Sequence, residues 1–197
     1  MGTLFVDKLD PQSGTALEIG SSGDTMTVPS GATFNVAGTL QNGGVAVNNT
    51  PAFHAYISSN QAVSNATVTK AQFNTESFDT NNAYDNSTNY RFTPQTSGKY
   101  FIYAQIRLDS GSNNDNIDYC YIEILKNGSN ATSSILDFRT DRDGRKFSVA
   151  SSIILDMNGS SDYVETVGAI SASYTADLKF TGNSDGSLSY FGGFKLI

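Results

Sequence analysis

Lys99-Tyr100-Phe101-Ile102-Tyr103-Ala104-Gln105-Ile106-Arg107-Leu108 is the stretch that decides the fold. Its even positions, Tyr100, Ile102, Ala104, Ile106 and Leu108, form one row of apolar and aromatic side chains, the two-residue period of a strand with a buried face. Its odd positions open with Phe101 and Tyr103, which is unusually apolar for a face that meets only water. The pattern recurs outward from there. Phe53-His54-Ala55-Tyr56-Ile57 alternates cleanly, Tyr90-Arg91-Phe92 follows an Asn- and Asp-rich stretch, and Tyr119 to Leu125 places Cys120, Ile122 and Ile124 on one side. Phe147 to Leu155, Tyr163 to Ile170 and Tyr190 to Ile197 complete the series. Asn127-Gly128 is a two-residue hairpin signal. No segment sustains a 3.6-residue apolar period, so the chain is read as all-β, an antiparallel sandwich or jelly roll.

Composition agrees. Only 16% of the 197 residues are charged, and the space is filled by 25 Ser, 19 Thr, 18 Asn and 18 Gly, residues that favour turns and strands over helices. Twelve Phe and ten Tyr are too many aromatics for a disordered chain. A net charge of −7 argues against nucleic acid as a partner, since phosphate binding needs clustered Lys and Arg. The single Cys120 excludes an internal disulfide. No stretch approaches the ~20 apolar residues of a membrane helix, so no membrane insertion is expected. The first residues, Met-Gly-Thr-Leu-Phe-Val-Asp-Lys, lack the basic start and apolar core of a signal peptide.

Two textures divide the chain. Residues 1–50 are punctuated by Gly, with short alternations at Met26 and Val28, at Ala32, Phe34 and Val36, and then Leu40. Strands this short and sparse cannot build a private core, and winding with identical copies would stabilise them. The expectation is a short β-rich trimeric shaft and anchor over 1–50, followed by an antiparallel jelly-roll β-sandwich over 51–197.

Catalytic chemistry is thin. His54 is the lone His, and no Ser-His-Asp set can be assembled without it. Cys120 sits inside an apolar alternation, where a buried inert thiol is the default. There is no nucleophile elbow and no phosphate-cradling Gly loop, so no enzyme and no cofactor are expected and no catalytic or metal residue is assigned. The stretch 109–118, Asp-Ser-Gly-Ser-Asn-Asn-Asp-Asn-Ile-Asp, gathers oxygen ligands of the kind calcium takes, and equally the residues of ordinary turns. Both readings stay open.

The order of signals resembles the complement one-q and tumour-necrosis-factor jelly-roll family. The pieces are Pro51-Ala52-Phe53-His54-Ala55-Tyr56, then Tyr84-Asp85, Asn89-Tyr90-Arg91-Phe92-Thr93-Pro94, Gly98-Lys99-Tyr100-Phe101-Ile102-Tyr103, Gly159 to Val164, and the terminal Phe191-Gly192-Gly193-Phe194-Lys195-Leu196-Ile197. A Lys stands at one terminal position where the family is apolar. The stretches Leu4 to Asp10, Leu17 to Gly20 and Gly23 to Leu40 resemble shaft segments of tailed-phage fibre and virion structural proteins, with phages of marine cyanobacteria as the setting. The resemblance implies a virion-located bacteriophage structural protein. It would be a homotrimeric fibre of tail-fibre type, docked on other virion proteins through residues 1–50, whose distal knob attaches to a host surface glycan or protein. A capsid decoration or head-fibre protein with no specific receptor is the alternative.

Sites follow from this reading. Exposed aromatics mark an interface, which assigns Phe101, Tyr103, Tyr119, Tyr121 and Phe191 to the trimer contact; a second sheet's core within a monomer is the other reading. The family's topology implies that both termini of the knob lie at its base. Counting strand directions back from the C-terminus then places loops 139–146 and 181–187 at the distal end and 109–118 nearer the base. Arg139, Asp141, Arg142, Asp143, Arg145, Asn183 and Asp185 are the candidate receptor contacts, because Arg forks among acids suit polar and glycan ligands.

Overall fold

The computed structural model describes residues 17, 19–42, 45–46, 49–111, 116–139, 144–173 and 177–196. The chain divides into two units, Met1–Val47 and Asn48–Ile197.

In the first unit the described pairing is one short antiparallel ladder, β1 (Gln41–Asn42) with β2 (Val45–Ala46). Turns close where Asp24 N–H reaches the Ser21 carbonyl at 2.9 Å and Ala32 N–H reaches that of Pro29 at 3.0 Å. The strands expected at 26–28 and 32–36 are not formed. Without a neighbouring strand an extended segment has no ladder to join, and Ile19, Met26, Val28, Phe34, Val36 and Leu40 all stand exposed.

The second unit carries the remaining strands. The first half supplies β3 (Ala52–Tyr56), β4 (Gln61–Ala62), β5 (Thr69–Lys70), β6 (Thr75–Asp79), β7 (Tyr84–Asp85) and β8 (Arg91–Phe92). The second half supplies β9 (Ser97–Asp109), β10 (Ile117–Lys126), β11 (Ser129–Asp137), β12 (Lys146–Asn158), β13 (Val164–Ala172), β14 (Lys179–Phe180) and β15 (Tyr190–Lys195). They form two antiparallel sheets. One has the order β4-β14-β9-β15-β3-β6 with β12 along the other side of β9; its partner has the order β11-β10-β13-β8-β7 with β5 on β13.

The even row of β9 behaves as its alternation demands: Tyr100, Ile102, Ala104, Ile106 and Leu108 are buried, and Cys120, Ile122 and Ile124 of β10 face them from the second sheet. An aromatic cluster joins the layers. Phe53 of β3 stacks on Phe92 of β8 at 4.4 Å and on Tyr84 of β7 at 4.8 Å, and meets Phe191 of β15 edge-on at 4.9 Å. Burying each such side chain contributes about 1.5–3 kcal/mol.

Register fixes the ends of the sandwich. Ala52 pairs with Phe194 and Lys195 with Tyr100, so the strands that begin and end the unit share one end, the base. Asp109 pairs with Lys146 at the other end. The strand ends Asp109, Ile117, Asp137 and Lys146 all lie at that far end, since β9 runs into it, β10 leaves it, β11 returns to it and β12 leaves again; segment 181–189 departs from the same sheet lower down, both of its ends beside Arg107 of β9. This corrects the expected basal position of 109–118. The cause is β11, whose run Ser129-Asn130-Ala131-Thr132-Ser133-Ser134 carries no apolar alternation; missing one strand inverts every direction counted before it. β11 forms because the Asn127-Gly128 turn, with φ of 52° and 77°, sends the chain straight back along β10.

Candidate functional site

The outward face of the first sheet is built by parity from strands whose other face is core. β9 supplies Phe101, Tyr103 and Gln105; β15 supplies Tyr190, Gly192 and Phe194; β3 supplies His54 and Tyr56; β12 supplies Ala150, Ser152 and Ile154. Phe78 of β6 pairs with His54 at the edge. The rings form a continuous band. Phe101 lies 5.7 Å from Phe194 and 5.9 Å from Tyr103, Tyr103 6.3 Å from Tyr190, Tyr190 5.7 Å from His54, and His54 6.3 Å from Phe78. Ile154 beside the band is 57% exposed, and Phe78 at its edge 50%. A cavity of ≈ 500 Å³ opens among Phe101, Tyr103, Tyr190, Ala150 and Ser152, with Thr132 and Ser134 of β11 also lining it.

Electrostatically the band is bare. From row 101 to row 105 of β9 and across its paired rows on β12, β15 and β3 there is no Asp, Glu, Lys or Arg on this face. Charge returns only at the ends, as the Lys99–Asp156 ion pair (2.7 Å) at the base and as Arg107 toward the far end. Burial, with Tyr190 adjacent, raises the Tyr103 phenol pKa, and burial lowers that of the His54 imidazole. His54 Nδ1 is 3.0 Å from Ser77 Oγ. Tyr103 lies across Gly192, and a Cβ at 192 would run into the ring.

The five residues expected at an oligomer contact therefore separate. Phe101 and Tyr103 are on this band. Tyr119 and Tyr121 stack at 6.4 Å on the outward face of the second sheet, the opposite side of the sandwich. Phe191 is wholly buried against Phe53, Phe73 and Tyr84, so it belongs to the core and not to a surface. His54, Tyr190, Phe194, Phe78 and Ile154 share the face of Phe101 and Tyr103 instead. The register of β15 makes the division, because Phe191 pairs with the buried Ala55 and Ala104, while Tyr190, Gly192 and Phe194 fall on the other row.

At the far end, Arg139 forks onto Asp137, which lowers that carboxyl's pKa through hydrogen bonding. The Arg145 carbonyl accepts from Ser110 N–H at 3.0 Å. Asp185 accepts from Ser187 N–H at 2.9 Å and from the Asn183 amide. Asp141, Arg142 and Asp143 lie outside the described residues, as do 112–115 of the oxygen-rich loop. At that loop's start the Asp109 carboxylate is committed to Lys146 Nζ (3.0 Å) and Gly111 N–H (2.8 Å). No group of three or more acidic, His or Cys side chains able to hold a metal stands among the described residues. Cys120 is sealed in the core, its thiol pKa pushed up to about 12 by burial.

No family model matches the chain, and neither does any curated protein sequence. Solved structures do. The structure of Eiger TNF from S. frugiperda superposes with a TM-score of 0.54 at 13% identity, over 76% of this chain and 94% of that one. Murine APRIL, crystallised at pH 5.0, superposes with a TM-score of 0.52 at 13% identity, over 74% of this chain and 98% of the other. At such identity the likeness speaks of fold alone, and it agrees with the strand order and register above: two antiparallel sheets in a complement one-q/tumour-necrosis-factor-like jelly roll.

Proposed function

We propose that this chain is a homotrimeric virion fibre protein of a bacteriophage, with residues 1–50 as anchor and shaft and 51–197 as a knob that attaches to the host surface. The observation that carries the assembly is the aromatic band, charge-free from row 101 to row 105 of β9. An apolar surface of that kind is what a self-association face requires, and domains of this jelly-roll class are usually homotrimeric. The virion part rests on the Gly-punctuated alternation of the leader and its resemblance to fibre shafts. Its exposed Met26, Val28, Phe34 and Val36 are side chains that copies of the same leader would cover. The knob acts by binding and not by catalysis, a reading supported by an inert core thiol and a lone His set among rings.

Attachment belongs to the end of the second unit opposite Ala52 and Lys195, where β11 ends and β12 begins, with 181–189 held beside Arg107 of β9. The test is to incubate the purified full chain with intact host cells and to label purified particles with antibodies against it. Saturable binding of the full chain to cells, with label at the tail, is the expected outcome. Label on the capsid with no cell binding assigns the decoration role instead, and absence of label from particles overturns the virion reading.

A further inference from the structure

We propose that the aromatic band carries an acid-sensitive release, in which protonation of His54 loosens the contact between copies of the chain. The inference rests on the assembly proposed above and adds its regulation.

The geometry is that of a titratable group set into an apolar surface. His54 is the chain's single His. Its imidazole stacks on Tyr190 at 5.7 Å and on Phe78 at 6.3 Å, with Tyr103 at 6.3 Å on the third side. The groups facing it are Ser77 and Phe78 from β6, Tyr190 and Gly192 from β15, and Tyr103 from β9. None is a carboxylate. The acids nearest in sequence on β6 point elsewhere: Glu76 pairs with the inward Ala55, and the Asp79 carboxylate accepts the N–H groups of Asn81 and Tyr84. An imidazolium at this position gains no counter-charge, and ring faces compensate a cation only in part.

Burial already holds the imidazole pKa below its ordinary value of 6.5 in the single chain. Covering the band with a second copy removes more water and pushes in the same direction. The sign is then fixed. The separated chain takes up the proton first, so assembly is strongest above pH 6.5 and weakens as pH falls toward the assembled-state pKa. Within that window each protomer contributes up to about tenfold per pH unit, or about a thousandfold in the dissociation constant of a trimer.

The experiment is sedimentation equilibrium of the untagged full chain between pH 8 and pH 5, beside His54→Gln. The wild-type dissociation constant is expected to stay level down to pH 6.5 and to climb below it, while that of His54→Gln stays level throughout, whatever its absolute value. A wild-type constant that is flat across the range, or a His54→Gln variant with the wild-type slope, overturns the switch and leaves the trimer standing. A monomer at every pH removes the assembly itself, and mass alone tells that result from a pH-indifferent trimer. A second readout does not depend on the variant: as the lone His, His54 gives one Cε1–H resonance, and its midpoint in the full chain must lie below 6.5. A midpoint at or above that value also overturns the proposal.

Discussion

The Asp85 carboxylate accepts N–H bonds from Ser87, Thr88 and Asn89 and another from the Asn89 side-chain amide. Those donors hold its pKa well below the usual carboxylate range. The stability it contributes is therefore present above the unfolded value near 3.8 and lost as pH falls through the folded one. Replacing the carboxylate, Asp85→Ala, is expected to cost about 1–2 kcal/mol at pH 7 in denaturant melts. Asp85→Asn, which keeps the acceptor without the charge, should restore part of it. Phe53→Ala removes the ring on which Tyr84, Phe92 and Phe191 converge and should cost about 3–5 kcal/mol. At this scale the even row of β9 was legible because alternation is a local property. Phe191 was not: an aromatic beside two glycines shows its side of the sheet only once the register of β15 against β9 is known.

Gly192 and Gly193 are adjacent in β15 yet answer to different neighbours. A Cβ at 193 points inward and would lie 2.6 Å from Ile102 Cδ1, whereas one at 192 points outward into the Tyr103 ring. Gly193→Ala is thus expected to lower the stability of the fold by about 1–3 kcal/mol, as overpacking does. Gly192→Ala should leave the melting of an isolated domain nearly unchanged and weaken self-association by lifting Tyr103 off the sheet. Equal effects of both on melting would contradict the assignment of their faces. Among the strands, β9, β10, β12 and β13 were visible from their apolar rows. β11 was hidden because its first six residues are polar or small and its place comes from the turn before it. That omission displaced the flanks of 109–118 to the wrong end, and β14, two residues long and also without a pattern, puts segment 181–187 beside Arg107 of β9 and not at a strand-to-strand turn.

For the whole molecule, the charge-poor, aromatic-rich composition resolves into a sandwich that spends one set of rings on its core and lays another across one outer face. The excess of aromatics showed in the sequence; which rings share that face did not, because Tyr119 and Tyr121 have the same alternation as Phe101 and Tyr103 but stand on the opposite sheet. A substitution that puts charge into the band should part the copies without unfolding them. Phe101→Glu is expected to keep the far-ultraviolet spectrum and melting of a β-sandwich while losing assembly. Tyr121→Glu, on the other sheet, should assemble as the wild type does. The most direct measurement is the solution mass of the full chain at pH 8 by light scattering, beside Phe101→Glu. The wild type is expected at about three times the 21.0 kDa of one chain, and the variant at a single-chain mass. A wild-type mass of one chain at micromolar concentration, or a Phe101→Glu variant that still assembles, would contradict this assembly.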